Sequence, residues 1–354
     1  MIIHISIITN QLNYIELIKT KTFITMAIQK NSRKGLITGI LSGATWGLDA
    51  VLLGVVMVMA PFVENPILLI AGGIVCSALH DIFSAIWLLG IMGAQGKLNG
   101  LGKAMISRDG RYCMLAALFG GPLAMTFYTI GISVGGAALT ASVTAIYPIL
   151  GTALAVFILK EKTGLQTWIG LSICVIGIIV IGWSPSPGEN ENMILGILIS
   201  LVAAIGWATE GVVSGYGMKD GNVDPKMALT IRYIVSSLVY LLVVAPIFVG
   251  GFGDSLKGYA AIFSNNACWI LLAVTALVGM SSFFCWYTSI DNIGAGKALC
   301  LNVTYSFWSV VFSLILSVFL PQYFSGVFTV FIAIGSILII TGVTLATLYK
   351  PNKA

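Results

Sequence analysis

Two short stretches of the chain place an acid three residues after a tryptophan. GATWGLDA at 43–50 carries Trp46 and Asp49, and AIGWATEG at 204–211 carries Trp207 and Glu210. A spacing of three puts both side chains on one face of a helix, where Ser214 joins Glu210 at i+4 and Ala203 lies at i−4 from Trp207. Both stretches sit inside apolar runs long enough to cross a bilayer, which takes roughly 20 residues. A charge left in hydrocarbon costs about 3 kcal/mol or more, so each acid should face protein or water. An indole beside a carboxylate in a dry cavity suits an organic cation, because the ring face attracts positive charge by roughly 2 kcal/mol when desolvated. The two copies are offset by 161 residues, close to half the chain, and read as equivalent helices of an internal repeat that meet at one cavity.

A second set of polar residues lies at similar depth. His80 and Asp81 fall near the centre of an apolar run, His80 sharing a face with Ser84 and Trp87, and Asp81 with Ser77. Histidine titrates near neutrality and suits proton coupling. The alternative is a hydrogen-bonded polar knot that fixes neighbouring helices. Glu210 likewise admits two readings, an ion pair with Arg232 on the next span or recognition of a cation, and a gate built on that pair is compatible with both. Asp49 has no basic neighbour in adjacent spans except His80. Several aromatics fall on spans that could form the cavity: Tyr128, Tyr147, Tyr287, Tyr305 and Trp308 besides the two tryptophans. Tyr305 shares a face with Asn302 and Ser309, and Tyr147 precedes Pro148, where a backbone carbonyl loses its helical donor. Lys297 should snorkel to the surface.

The elements that must hold these residues are membrane helices. Hydrophobic residues make up 58% of the 354 and charged residues 9%, against about 25% charged in an ordinary soluble domain. Apolar runs at about 36–59, 67–92, 112–132, 135–159, 164–183, 193–216, 227–249, 267–290, 294–319 and 326–349 predict ten transmembrane helices. Of the 18 basic residues, 16 fall on one side of that arrangement. Lys257 stands alone on the other side and Arg232 inside the seventh span. Positive charge concentrates on the cytoplasmic side, which predicts both termini there. With five helices per half, the second half enters from the opposite face, so the halves form an inverted repeat with shared sites near the midplane. The predicted class is therefore an all-α integral membrane protein of the cell membrane, with repeats over 36–183 and 193–349. Residues 1–35 form a cytoplasmic segment, of which 1–25 read as an upstream extension, because Met26 opens a compact basic stretch that would serve equally well as a start.

Smaller signals agree with a repeat. FYT at 127–129 resembles WYT at 286–288, each followed by a glycine break at Gly135-Gly136 and Gly294-Ala295-Gly296. Gly170 and Gly177 match Gly335 and Gly342, and Gly39, Gly43 and Gly47 allow close helix approach. The six cysteines show no CxxC spacing and two histidines leave little scope for a metal. No cofactor, metal or nucleic-acid partner is expected. No GxxxxGK[ST] motif supports direct use of ATP.

ASVTAIYPILGTALAVFILKEK at 141–162, with its proline and basic-acidic exit, is similar to the fourth helix of the drug/metabolite transporter superfamily in its ten-helix form built from two EamA-type halves. LHDIFS (79–84), AIYP (145–148), AIGWATEG (204–211), IRY (231–233) and LNVTYSFW (301–308) in that order resemble, more narrowly, bacterial choline transporters of the LicB type. Two departures stand out: Asp49 where the choline group is expected to carry a small uncharged residue, and LPQY at 320–323 where a Leu-x-Glu exit is expected. The resemblance implies import of choline or a related quaternary ammonium ion by alternating access, driven by protons. The expected substrate site is Trp46, Asp49, Tyr147, Trp207, Glu210, Asn302 and Tyr305, with His80 and Asp81 coupling protons. The expected partners are a small cationic solute, protons and the lipid bilayer. The rival on the same fold is an exporter of amino acids, drugs or other metabolites. A membrane-embedded enzyme using His80 and Asp81 lacks a second acid–base cluster, and a scaffold would not need three acids and a histidine at depth.

Overall fold

A computed structural model of the chain describes residues 32–182, 192–322 and 330–348. Nine helices are long and apolar enough to cross a membrane among the described residues, and a tenth is shorter. In chain order they are α1 (Ser32–Met57), α2 (Pro66–Ala94), α3 (Arg108–Gly135), α4 (Leu139–Leu159), α5 (Leu165–Ile181), α6 (Met193–Met218), α7 (Pro225–Val249), α8 (Asn266–Ile293), α9 (Ala295–Phe319) and α10 (Val330–Leu348). No strand occurs among the described residues. The ten-helix expectation holds, while the extension expected at 1–25 lies outside the described residues.

Helix starts follow local chemistry. The side chains of Asn65, Ser107, Asp224 and Asn265 accept hydrogen bonds from the first free amides of α2, α3, α7 and α8. Such caps satisfy N–H groups that the helix cannot. Pro66 and Pro225 occupy the first turn, where a missing N–H costs nothing.

The repeat is visible in the backbone. Gly136, between α3 and α4, has φ 85° and ψ 157°, and Gly294, between α8 and α9, has φ 88° and ψ 160°. Only glycine takes up that region freely. Eleven residues after each glycine the following helix restarts beyond a turn, at Tyr147 in α4 and at Tyr305 in α9. Both helices are thus broken near their middles, and each second segment begins with a tyrosine.

Small residues set the tightest crossings. A Cβ on Gly177 would lie 2.7 Å from the carbonyl of Gly335, so α5 and α10 touch backbone to backbone. On α1, a Cβ on Gly39 would crowd Leu301 and one on Gly47 would lie 2.7 Å from the Cβ of Trp308, which presses α1 onto α9. That contact brings the two halves together around Trp46 and Asp49.

Candidate functional site

A cavity of about 300 Å³ lies between the halves, lined by α1, α2, α3, α6, α7, α8 and α9. Its lining on α1 runs from Trp46 to Met57, on α2 from Gly73 to Asp81 and on α3 from Met125 to Ile132. These segments all lie in the half of the bundle that carries the α1–α2 connection, so the cavity reaches from mid-bundle toward that face. The opposite half is closed by cross-bundle bonds. Ser282 donates to the carbonyl of Ser42 and Ser289 to that of Gly35, each at 2.8 Å.

The floor of the cavity is aromatic. Trp46 stacks on Tyr305 with ring centres 5.2 Å apart, lies 5.5 Å from Phe283, and meets the edge of Trp207 at 6.0 Å. Tyr128 stands 5.1 Å from Trp207 on its other side. Rings from α1, α3, α6, α8 and α9 thus converge, and the tryptophans of the two repeats touch.

Beside the rings runs a chain of charges. Asp49 Oδ1 is 3.0 Å from His80 Nε2, and His80 Nδ1 is 3.8 Å from Asp81 Oδ1. Asp81 accepts from Arg232 Nη1 at 2.9 Å and also from the Ser236 hydroxyl. Arg232 turns its Nε to Glu210 Oε1 at 3.0 Å, and Tyr287 donates to the same oxygen at 3.2 Å. The guanidinium is sandwiched near Tyr233 and Phe283, at 4.7 and 4.6 Å from their ring centres. Three carboxylates therefore share one guanidinium and one imidazole. With all three acids ionised and His80 protonated the cluster carries one net negative charge, in a setting where an unmatched charge is expensive.

Glycines make this arrangement possible. A Cβ on Gly120 would collide with the Glu210 carboxylate, and one on Gly279 would lie 2.7 Å from His80 Nε2 and 2.8 Å from Asp49 Oδ1. The chain approaches the acids closely only because those positions carry no side chain.

Of the expected substrate residues, Trp46, Asp49, Trp207 and Tyr305 line the cavity, as do both residues of the His80-Asp81 pair. Glu210 does not. It is fully buried behind Arg232, so the ion pair is the arrangement the structure adopts. Tyr147 and Asn302 also sit off the cavity, bonded to each other at 2.9 Å, with Asn302 donating onward to Ser42 at 3.2 Å. Tyr287 serves the buried pair rather than the cavity, and Trp308 packs against α1. Phe283 lines the cavity without having been singled out. It stands three residues before Trp286, on the helix that carries the WYT stretch, and nothing in an unbroken apolar run marks one phenylalanine from another.

Comparison with known proteins agrees with this architecture. The EamA-like transporter family model matches residues 33–183 and again 194–348. Protein LicB of Haemophilus influenzae is 26% identical over 281 residues, spanning 78% of this chain and 87% of its own length. A solved structure described only as a crystal structure of a protein superposes with a TM-score of 0.64 at 16% identity, over 89% of this chain and 96% of its own, and shares the fold.

Proposed function

The chain belongs to the EamA-like transporter family, and from that premise we propose that it imports choline or a related quaternary ammonium ion in exchange for the energy of a proton gradient. The protein is a multi-pass cell-membrane transporter of small solutes, and the substrate class is read from the cavity. One observation carries it: rings of Trp46, Trp207, Tyr128, Phe283 and Tyr305 line a cavity that also exposes the Asp49 carboxylate. A quaternary ammonium cannot donate hydrogen bonds, so ring faces and a nearby carboxylate are what it can use. In this reading the cation rests against Trp46 and Trp207, and Asp49 is its counter-charge.

His80 bridges Asp49 and Asp81 and is the natural proton carrier of the group. Asp81, held by Arg232 and Ser236, orients the imidazole. In the orientation that the distribution of basic residues predicts, with both termini in the cytoplasm, the cavity faces outward and the closed half faces inward. Alternating access then means rocking of the halves about the Trp46–Trp207 contact. The resemblance to LicB-type choline transporters supports the same substrate class.

The test is a thermal-shift screen of purified protein against choline, betaine, carnitine, polyamines and amino acids. Ligands that bind the folded state raise apparent stability with occupancy. Choline should raise the Tm and amino acids should not. A shift with neutral or anionic solutes alone would overturn the assignment. Uptake into proteoliposomes should rise when the outside is made acidic, and uptake indifferent to that gradient would remove the proton.

A further inference from the structure

A second cavity, about 380 Å³, opens on the side of the bundle between α2 and α3, near the same face. It shares Met57, Gly73, Thr129 and Ile132 with the central cavity, so those four residues stand between the two. Its outer rim carries Ile70 and Leu69, 86% and 62% exposed, together with Phe248. Residues so apolar and so exposed on a membrane span face lipid.

The cleft makes no polar demand. Its two hydroxyls are already spent within α3: Thr129 donates to the Thr126 carbonyl at 2.9 Å and Ser133 to that of Thr129 at 3.1 Å. There Gly73 packs directly on Thr129, a Cβ at Gly73 lying 3.0 Å from the Thr129 side chain, so a glycine keeps this wall thin. A thin, largely apolar wall thus separates the ring-lined chamber from a cleft that faces lipid.

We propose that this cleft is a tail subsite, and that the transporter accepts amphiphilic quaternary ammonium ions whose head occupies the aromatic chamber and whose alkyl chain leaves between α2 and α3. The inference rests on the cation reading above. It selects single-chain monocations over phospholipids, because a phosphate beside the head would meet Asp49 while Arg232 is already engaged by two acids.

The test is calorimetric binding to full-length protein in lipid nanodiscs, using tetramethylammonium and then alkyltrimethylammonium ions of increasing chain length. Each methylene buried in the cleft should tighten binding by about fourfold until the tail reaches lipid. Ser133→Trp, and independently Phe248→Trp, fill the cleft outside the chamber and should flatten that dependence while the short ion still binds. Comparing variant with wild type cancels partition of the tail into the bilayer. A chain-length gain that is the same in both variants as in wild type overturns the tail subsite and leaves the cation chamber standing. Binding of the matching alkan-1-ol as tight as that of the ammonium overturns it in favour of a lipid-tail groove. Failure of tetramethylammonium and every longer ion to bind overturns the cation reading itself, and the subsite with it.

Discussion

Arg232 Nε lies 3.0 Å from Glu210 Oε1, and the same guanidinium reaches Asp81 with Nη1 at 2.9 Å. One planar fork therefore ties α7 to α6 and to α2, which a lysine, with its single point of charge, does not reproduce. Removing one partner of a buried pair typically costs about 3–5 kcal/mol, because the remaining charge is left unmatched. Arg232→Met should accordingly lower the Tm sharply, and Arg232→Lys should restore little of it. Adding Asp81→Asn and Glu210→Gln to Arg232→Met should recover much of the loss, since the two acids that Arg232 neutralises then carry no charge. A triple variant no more stable than the single one would show that the fork matters for shape rather than charge.

Much of this was legible in the chain, and the limits have physical reasons. Span positions follow from hydropathy. The breaks at Gly136 and Gly294 follow from glycine pairs after matching aromatic stretches. Trp46, Asp49, Trp207 and His80 stand out because an acid, an indole or an imidazole at depth needs a reason. Adjacency of spans suggested Glu210 and Arg232 as partners. The share of Asp81 in that pair was not legible, because it joins α2 to α7 across the bundle and no local spacing encodes such a contact. The bond between Tyr147 and Asn302 was not legible either, because it joins α4 to α9 across the two halves. Gly279 and Gly120 gave no signal, since a glycine that admits a distant side chain looks like any other glycine in a membrane helix.

The aromatic floor predicts a graded response to truncation. Trp46 touches Tyr305, Phe283 and Trp207, whereas Trp207 touches Trp46, Tyr128 and Tyr147. Each indole face offers roughly 2 kcal/mol to a desolvated cation. Trp46→Ala or Trp207→Ala should weaken choline binding by about thirtyfold or more in a radioligand assay. Trp46→Phe should lose less. Unchanged affinity in both alanine variants would empty the floor of its role.

The proposed function assigns Asp49 to binding and His80 to coupling, and the two roles can be separated. Asp49→Asn removes the proposed counter-charge, and losing one partner of a buried charge pair costs about 2 kcal/mol or more, so affinity should fall at least about thirtyfold. His80→Gln keeps a polar group between the acids but carries no titratable proton. That variant should still bind choline while its uptake stops responding to an imposed pH gradient. Gly279→Ala, whose methyl would wedge against the Asp49–His80 bond, should resemble His80→Gln in coupling. Gradient-driven uptake by His80→Gln would move the proton to Asp49.

On the closed face, Glu161 joins the halves: its carboxylate accepts the backbone N–H groups of Ala295 at 2.7 Å and Gly296 at 3.0 Å, at the start of α9. Burial pushes this carboxyl above the ordinary glutamate value of about 4.3, and the two amides together with Lys297 draw it back only in part. The sign follows from that direction. The folded protein holds the Glu161 proton more tightly than the unfolded chain does. Its contribution to stability is therefore complete below the ordinary glutamate value and declines as pH rises through the raised one. Above that window it is constant, with the ionised clasp the weaker form. Thermal unfolding of wild type and Glu161→Gln, followed across this range, isolates the effect from the other acids. The difference in Tm between the two proteins should shrink or change sign as pH rises through the window, then level off. A wild type that gains stability over the variant on the way up would mean that the two amides outweigh burial, and that the clasp is strongest when charged.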